Sequence, residues 1–158
     1  MAVEIGPAPA EFGDWTSLME LLHAAFAFQD GRIDPPSSLH SFDAVSIAAK
    51  AKEERLFLAF DGGDLVGCIF AKPRADHAYV GKMAVQPERQ GQGIGRRLMQ
   101  AAEGFARDAG LAALELQTRI ELTENHEAFA ALGFVRISEG AHAGYERTTF
   151  ITMRKALA

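Results

Sequence analysis

The sequence predicts an α+β domain in which helices layer against a mixed, mostly antiparallel sheet, and three observations predict it. Apolar residues recur at helical spacing over 15–26, follow strand spacing over 56–85, and return to helical spacing from Ile94 onward. The chain of 158 residues suits a single domain, read here as 1–158. With 48% apolar and 23% charged residues it has the composition of a folded globular chain, which disfavours extended disorder.

Taken in order, Trp15, Leu18, Leu21, Leu22, Ala25 and Phe26 fall on one helical face, with Asp14 or Thr16 available as a cap. Residues 29–38 read as a loop, and Leu39 to Glu54 as a second helix whose stripe of Phe42, Val45, Ile47 and Ala48 is only rough. Residues 1–54 are thus expected to form a helical segment, and 55–155 the sheet and its associated helices. The apolar runs 56–60 and 65–70 flank Asp61-Gly62-Gly63-Asp64, a hairpin signal. A third run, His77 to Val85, ends before Pro87, which cannot donate to a ladder, so the three strands form a meander. Leu98, Ala101, Ala102 and Phe105 continue a helix from Ile94 that stops at Gly110. A strand around Leu114 and Leu116, a helix over 124–132, and strands over 134–138 and 149–154 complete the chain. Trp15 and the phenylalanines follow the apolar periodicity and read as core, as does Cys68 in its apolar strand.

Composition excludes several functions. With 16 Lys+Arg against 21 Asp+Glu the formal net charge is -5, the wrong sign for neutralising a phosphate backbone, so no nucleic-acid partner is expected. At the scale of the whole-molecule field this charge mildly suits a cationic small molecule. The single Cys68 cannot form an intrachain disulfide, and the absence of a Cys/His cluster leaves no metal expected. No basic stretch precedes an apolar one at the N-terminus and no apolar run approaches about 18 residues, so a cytoplasmic protein with no membrane partner is expected.

The most informative segment is Gln90-Gly91-Gln92-Gly93-Ile94-Gly95-Arg96, between the third strand and a helix. Glycines there let the backbone take conformations closed to other residues and let an anion approach the unpaired amides of the helix N-terminus. The helix dipole and Arg96 and Arg97 favour a pyrophosphate. A Walker A loop would need Gly-Lys-Ser/Thr, which is absent, and a dinucleotide fingerprint fails because Arg96 stands where its third glycine belongs. The plain alternative is a turn leading into a helix.

This segment matches the Q/R-x-x-G-x-G/A signature of the GNAT superfamily of N-acetyltransferases, which the chain resembles over residues 55–155. The likeness runs through Gly81-Lys82-Met83-Ala84-Val85-Gln86-Pro87 upstream and through Leu114-Glu115-Leu116-Gln117, Thr123-Glu124-Asn125 and Leu132-Gly133-Phe134 downstream. It implies a GNAT-like fold of about six to seven strands flanked by about four helices. It also implies acetyl-CoA as cosubstrate and an amine-bearing acceptor. The first 54 residues, which match only in helix count, then lie on the acceptor side. By the same resemblance the amides of Gln90, Gly91, Gln92, Gly93, Ile94, Gly95 and Arg96 hold the pyrophosphate. Met83, Ala84 and Val85 pair with the pantetheine arm, and Asn125 and Phe129 contact it. Gly81 in mid-strand agrees independently, since such a glycine marks a bulge or a close backbone approach.

One position departs from the family pattern. Phe129 stands where members often carry a tyrosine that protonates the departing thiolate, and a phenyl ring donates no proton. Because a thiol of pKa about 8.5 is a fair leaving group, water or Tyr145 can serve. The strand that often carries a carboxylate base offers only His77, Tyr79 and Lys82. His77, Tyr79 and Tyr145 are therefore the candidate catalytic side chains, with Asp76 and Glu115 as weaker bases, while His142 and Tyr145 are candidate acceptor contacts. Direct acetyl transfer to a primary amine in a ternary complex is the first reading, and a non-catalytic CoA-binding module is the alternative. A homodimer is compatible with the sequence.

Overall fold

Seven strands in the order β1-β2-β3-β4-β5-β7-β6 form one mixed sheet with helices on both faces, in agreement with the predicted fold class. The structure is a computed structural model that describes residues 2–158. The strands are β1 Val3–Pro7, β2 Arg55–Asp61, β3 Asp64–Pro73, β4 His77–Val85, β5 Ala113–Arg119, β6 Val135–Gly140 and β7 Phe150–Ala156. The helices are α1 Trp15–Phe26, α2 Ala44–Glu53, α3 Ile94–Asp108 and α4 Thr123–Ala131. The expected meander is present as β2, β3 and β4, joined antiparallel.

Two cores lie on opposite faces of the sheet. One packs Leu18, Leu22 and Ile47 of α1 and α2 on Leu58, Cys68, Phe70 and Ala84. The other packs Ile94, Leu98 and Ala102 of α3 on Val66, Ile69, Val80, Leu114 and Met153. Gly67 allows the close approach of α3, since a Cβ there would stand 3.0 Å from Leu98 Cδ1 and 3.1 Å from the Ala84 carbonyl oxygen.

Residues 1–54 are not wholly helical, which corrects the sequence reading. Val3–Pro7 pairs antiparallel with β2 as an edge strand, and its five residues, ending in Gly6-Pro7, are too short to show a period. The second helix begins at Ala44 and not at Leu39, because Asp43 and Ser46 form a capping box there. Ser38–Ser41 is instead a single 3-10 turn. Phe28 departs from the expected core set, being 44% exposed.

Candidate functional site

The site is built around an irregularity in β4. Between the pairs Cys68–Ala84 and Phe70–Gly81 the register slips, so that Lys82 and Met83 face one residue of β3. The positive φ of this bulge, 48°, falls on Lys82 and not on the Gly81 that marks it in the sequence. Beyond it β4 and β5 part company. Their parallel pairing covers only His77–Ala113, Ala78–Leu114 and Tyr79–Glu115, while β5 stays paired with β7 as far as Arg119. Past Tyr79 the β5-side edge of β4 therefore has no ladder partner, and its polar backbone groups are available to a ligand.

A cleft of about 750 Å³ opens in this fork, the size of a small-molecule site. Tyr79, Met83, Ala84, Val85 and Gln90 line one side of it and Asn125, Phe129 and His142 the other. These sequence-predicted residues are thus brought together. Gly91, Gln92, Gly93, Ile94, Gly95 and Arg96 are outside the lining, on the turn into α3. The two parts adjoin, because a Cβ on Gly95 would lie 3.8 Å from both Met83 Cε and Val85 Cγ2. Ile94 is buried in the α3 core, so only its backbone is available.

Gly93 caps α3 with a φ of 83°, and no side chain caps the helix. Its first amides therefore keep their hydrogen-bonding capacity and the positive end of the helix dipole is open. A Cβ on Gly91 or Gly93 would meet nothing within 4 Å, so space as well as donors is present for a diphosphate. Thr118 of β5 lines the cleft, is 6% exposed, and its Oγ1 has no hydrogen-bond partner. A buried orphan hydroxyl in a fork between two strands fits a polar chain laid along it, as a pantetheine arm would be.

The candidate catalytic groups separate in space. His77 is outside the cleft lining, with Nδ1 2.7 Å from Asp76 and Nε2 3.6 Å from Glu115. Asp76 and Glu115 also pair with Arg154, so all four belong to one ion cluster. Tyr145 is outside the lining too, and its hydroxyl donates to Asp34 Oδ1 at 2.6 Å, which holds its pKa above the ordinary value. Tyr79 and His142 reach the cleft. Burial raises the Tyr79 pKa and, with Arg119 nearby, lowers that of His142, whose Nδ1 lies 2.5 Å from Thr149 Oγ1.

Sequence reasoning missed a strap over one end of the cleft. Arg32 donates two hydrogen bonds to Glu124, at 2.8 and 2.9 Å. Arg119 donates to the carbonyls of Pro35 and Pro36, and Arg147 to that of Asp34. With Tyr145, these contacts tie the loop after α1 to β5, α4 and the β6–β7 connection. No local pattern announces partners 83 to 113 residues apart.

The family model of the acetyltransferase (GNAT) family matches residues 15–134. The chain belongs to that family. This GNAT protein is 37% identical over 94 residues to the aminoglycoside N(6')-acetyltransferase type 1 of Stenotrophomonas maltophilia, an alignment spanning 52% of this chain and only 60% of that relative. It is 34% identical over 106 residues to the IAA acetyltransferase of Azospirillum brasilense, spanning 66% of this chain and 68% of the relative. In structure the GNAT chain is similar to the PaiA N-acetyltransferase of Thermoplasma acidophilum, solved in complex with coenzyme A. The TM-score is 0.80 at 18% identity, over 99% of this chain and 100% of the other.

Proposed function

We propose that this protein is a cytoplasmic enzyme that transfers the acetyl group of acetyl-CoA directly to a primary amine in a ternary complex. The observation that carries the reading is the adjacency of the open α3 N-terminus to the unpaired edge of β4 at the fork with β5. The amides from Gln90 to Arg96 hold a diphosphate, while the free edge of β4 at Met83, Ala84 and Val85 pairs with the pantetheine amides. Asn125 and Thr118 add polar contacts, and Phe129 forms an apolar wall backed by the buried Phe134, their ring centroids 6.0 Å apart. Bound acetyl-CoA supplies the activated thioester. Amides on the β4 edge stabilise negative charge as it develops on an acyl oxygen, and the fork brings the two reactants together.

Proton handling falls to the two titratable groups that both line the cleft and were singled out in the sequence. His142, whose pKa is lowered by burial, takes the proton as the acceptor's ammonium becomes the attacking amine. Tyr79, kept protonated by burial, donates to the departing thiolate. We assign no direct part to His77 and Tyr145, which lie outside the cleft lining. Membership of an acetyltransferase family favours turnover over the non-catalytic CoA-binding module.

Acetyl-CoA should raise the melting temperature of the protein by several degrees at concentrations well above Kd. Gly93→Asp, which sets a carboxylate against the diphosphate, should abolish the rise, whereas Gly93→Ala, with the same backbone strain and no charge, should retain part of it. An undiminished rise in Gly93→Asp would overturn the placement, and thiol release with no amine of a broad panel would favour the binding module.

A further inference from the structure

Three charged residues line the cleft: Lys82, Arg119 and Glu124. Glu124 is already neutralised by the two-pronged bond from Arg32. Arg119 directs its hydrogen bonds to the neutral carbonyls of Pro35 and Pro36, with the carboxylates of Glu121 and Asp34 near enough to offset its charge. Lys82 likewise has only neutral partners. Its Nζ lies 3.4 Å from Ser38 Oγ and 4.6 Å from the centre of the Phe42 ring. The nearby Lys50 adds like charge, and the carboxylate of Glu54 is engaged by Lys50 at 2.6 Å. A partly buried ammonium normally has a carboxylate beside it, because desolvation without a counter-charge is costly. The cleft of this acidic protein is thus cationic at the end facing α1 and α2, where Ser38 and Phe42 sit.

We propose that the acceptor is a small amine that also carries a carboxylate, of the amino-acid type, and that Lys82 is the residue that docks this carboxylate. The proposal rests on the acetyl-transfer reading above. Lys82 follows the fork on β4, on the face opposite α3, so an anion held there sets the attached amine beside the free β4 edge. Gln29, Ile33, Ser37 and Ser38 of the loop after α1 line the cleft, which suits a small acceptor. The same charge turns away polycationic acceptors, because their ammonium groups would meet Lys82 with no free carboxylate in the lining. The cleft in this way reverses the preference suggested by the net charge of -5.

The test compares free amino acids, their carboxamides and a linear polyamine as acceptors, with thiol release giving kcat/KM. Calorimetry of the same amino acids and amides on the protein reads docking without turnover. The wild type should prefer acid to amide by about 10- to 100-fold, mostly through KM, as expected for one charge-assisted contact. Lys82→Met should bring that ratio close to one, and Lys82→Arg should restore part of it. A wild type that uses the amide or polyamine as well as the acid would overturn the proposal. So would a Lys82→Met variant with the preference intact, or a panel silent in both assays. Failure of the transfer reading is told apart in the same preparations, because it silences thiol release for every acceptor while calorimetry still reads the preference for acid over amide.

Discussion

Lys82 combines a left-handed backbone, partial burial and a like-charged neighbour, each of which costs folding free energy. Burial and Lys50 lower its pKa from the ordinary 10.5 to about 8. Between those two values the unfolded chain binds more protons than the folded one, so this residue makes stability rise with pH across that window. Below pH 8 the cost is fully present, and above 10.5 it is gone. The groups facing it are Lys50, Glu54 and Cys68, with neutral Ser38 and Phe42. Of these the Cys68 thiol is pushed up to about 12 by burial and stays neutral throughout. Lys82→Met should therefore stabilise the ligand-free protein at pH 7 by about 1–2 kcal/mol after allowance for screening, with the gain shrinking toward pH 10. Urea unfolding at the two pH values checks this, and a loss of stability at pH 7 would contradict it.

At the scale of elements, the contact of α3 with β3 sets where the glycine turn before α3 stands. Gly67 is the point of closest approach, and the neighbours a Cβ would meet include a backbone oxygen as well as Leu98 and Ile94 at 3.0 and 3.2 Å. Gly67→Ala should destabilise by about 1–3 kcal/mol through overpacking. Because Ile94 opens α3, the same change should reduce the melting shift produced by acetyl-CoA. An unaltered urea midpoint would show that α3 shifts at no cost. The helices and central strands were legible in the sequence because their apolar spacing is local, as in Leu18, Leu22 and Ala25 or Leu114 and Leu116. The edge strand β1 was not, since five residues ending in Gly6-Pro7 acquire strand character only from pairing with β2.

For the whole molecule, the strap is the long-range element that closes one end of the cleft. Its Arg32–Glu124 and Asp34–Arg147 pairs are exposed, so each contributes modestly, and their strength lies in acting together on one loop. The Tyr145 hydrogen bond holds the Asp34 carboxyl below its ordinary pKa, and the Arg32 hydrogen bonds do the same for Glu124. Both interactions are therefore present above the usual carboxylate range and lost as pH falls through the lowered values. Replacing Arg32 and Asp34 together by alanine should speed protease cleavage within 30–36 several-fold at neutral pH while leaving the global unfolding midpoint almost unchanged. Equal cleavage rates in variant and wild type would show that the loop is held by its own conformation.

The glycine turn before α3, the β2–β3–β4 meander and the family can be read from the residues alone, because each is written in neighbouring residues whose backbone preferences and spacing act locally. Tertiary structure alone decided that Lys82 takes the positive φ beside Gly81, that His77 joins the Asp76, Glu115 and Arg154 cluster, and that Tyr145 is held by Asp34. The sign of charge in the cleft was decided in the same way, by which carboxylates found partners elsewhere. Ion pairing and desolvation depend on distance in space, and residues far apart in the chain carry no local pattern that reports it.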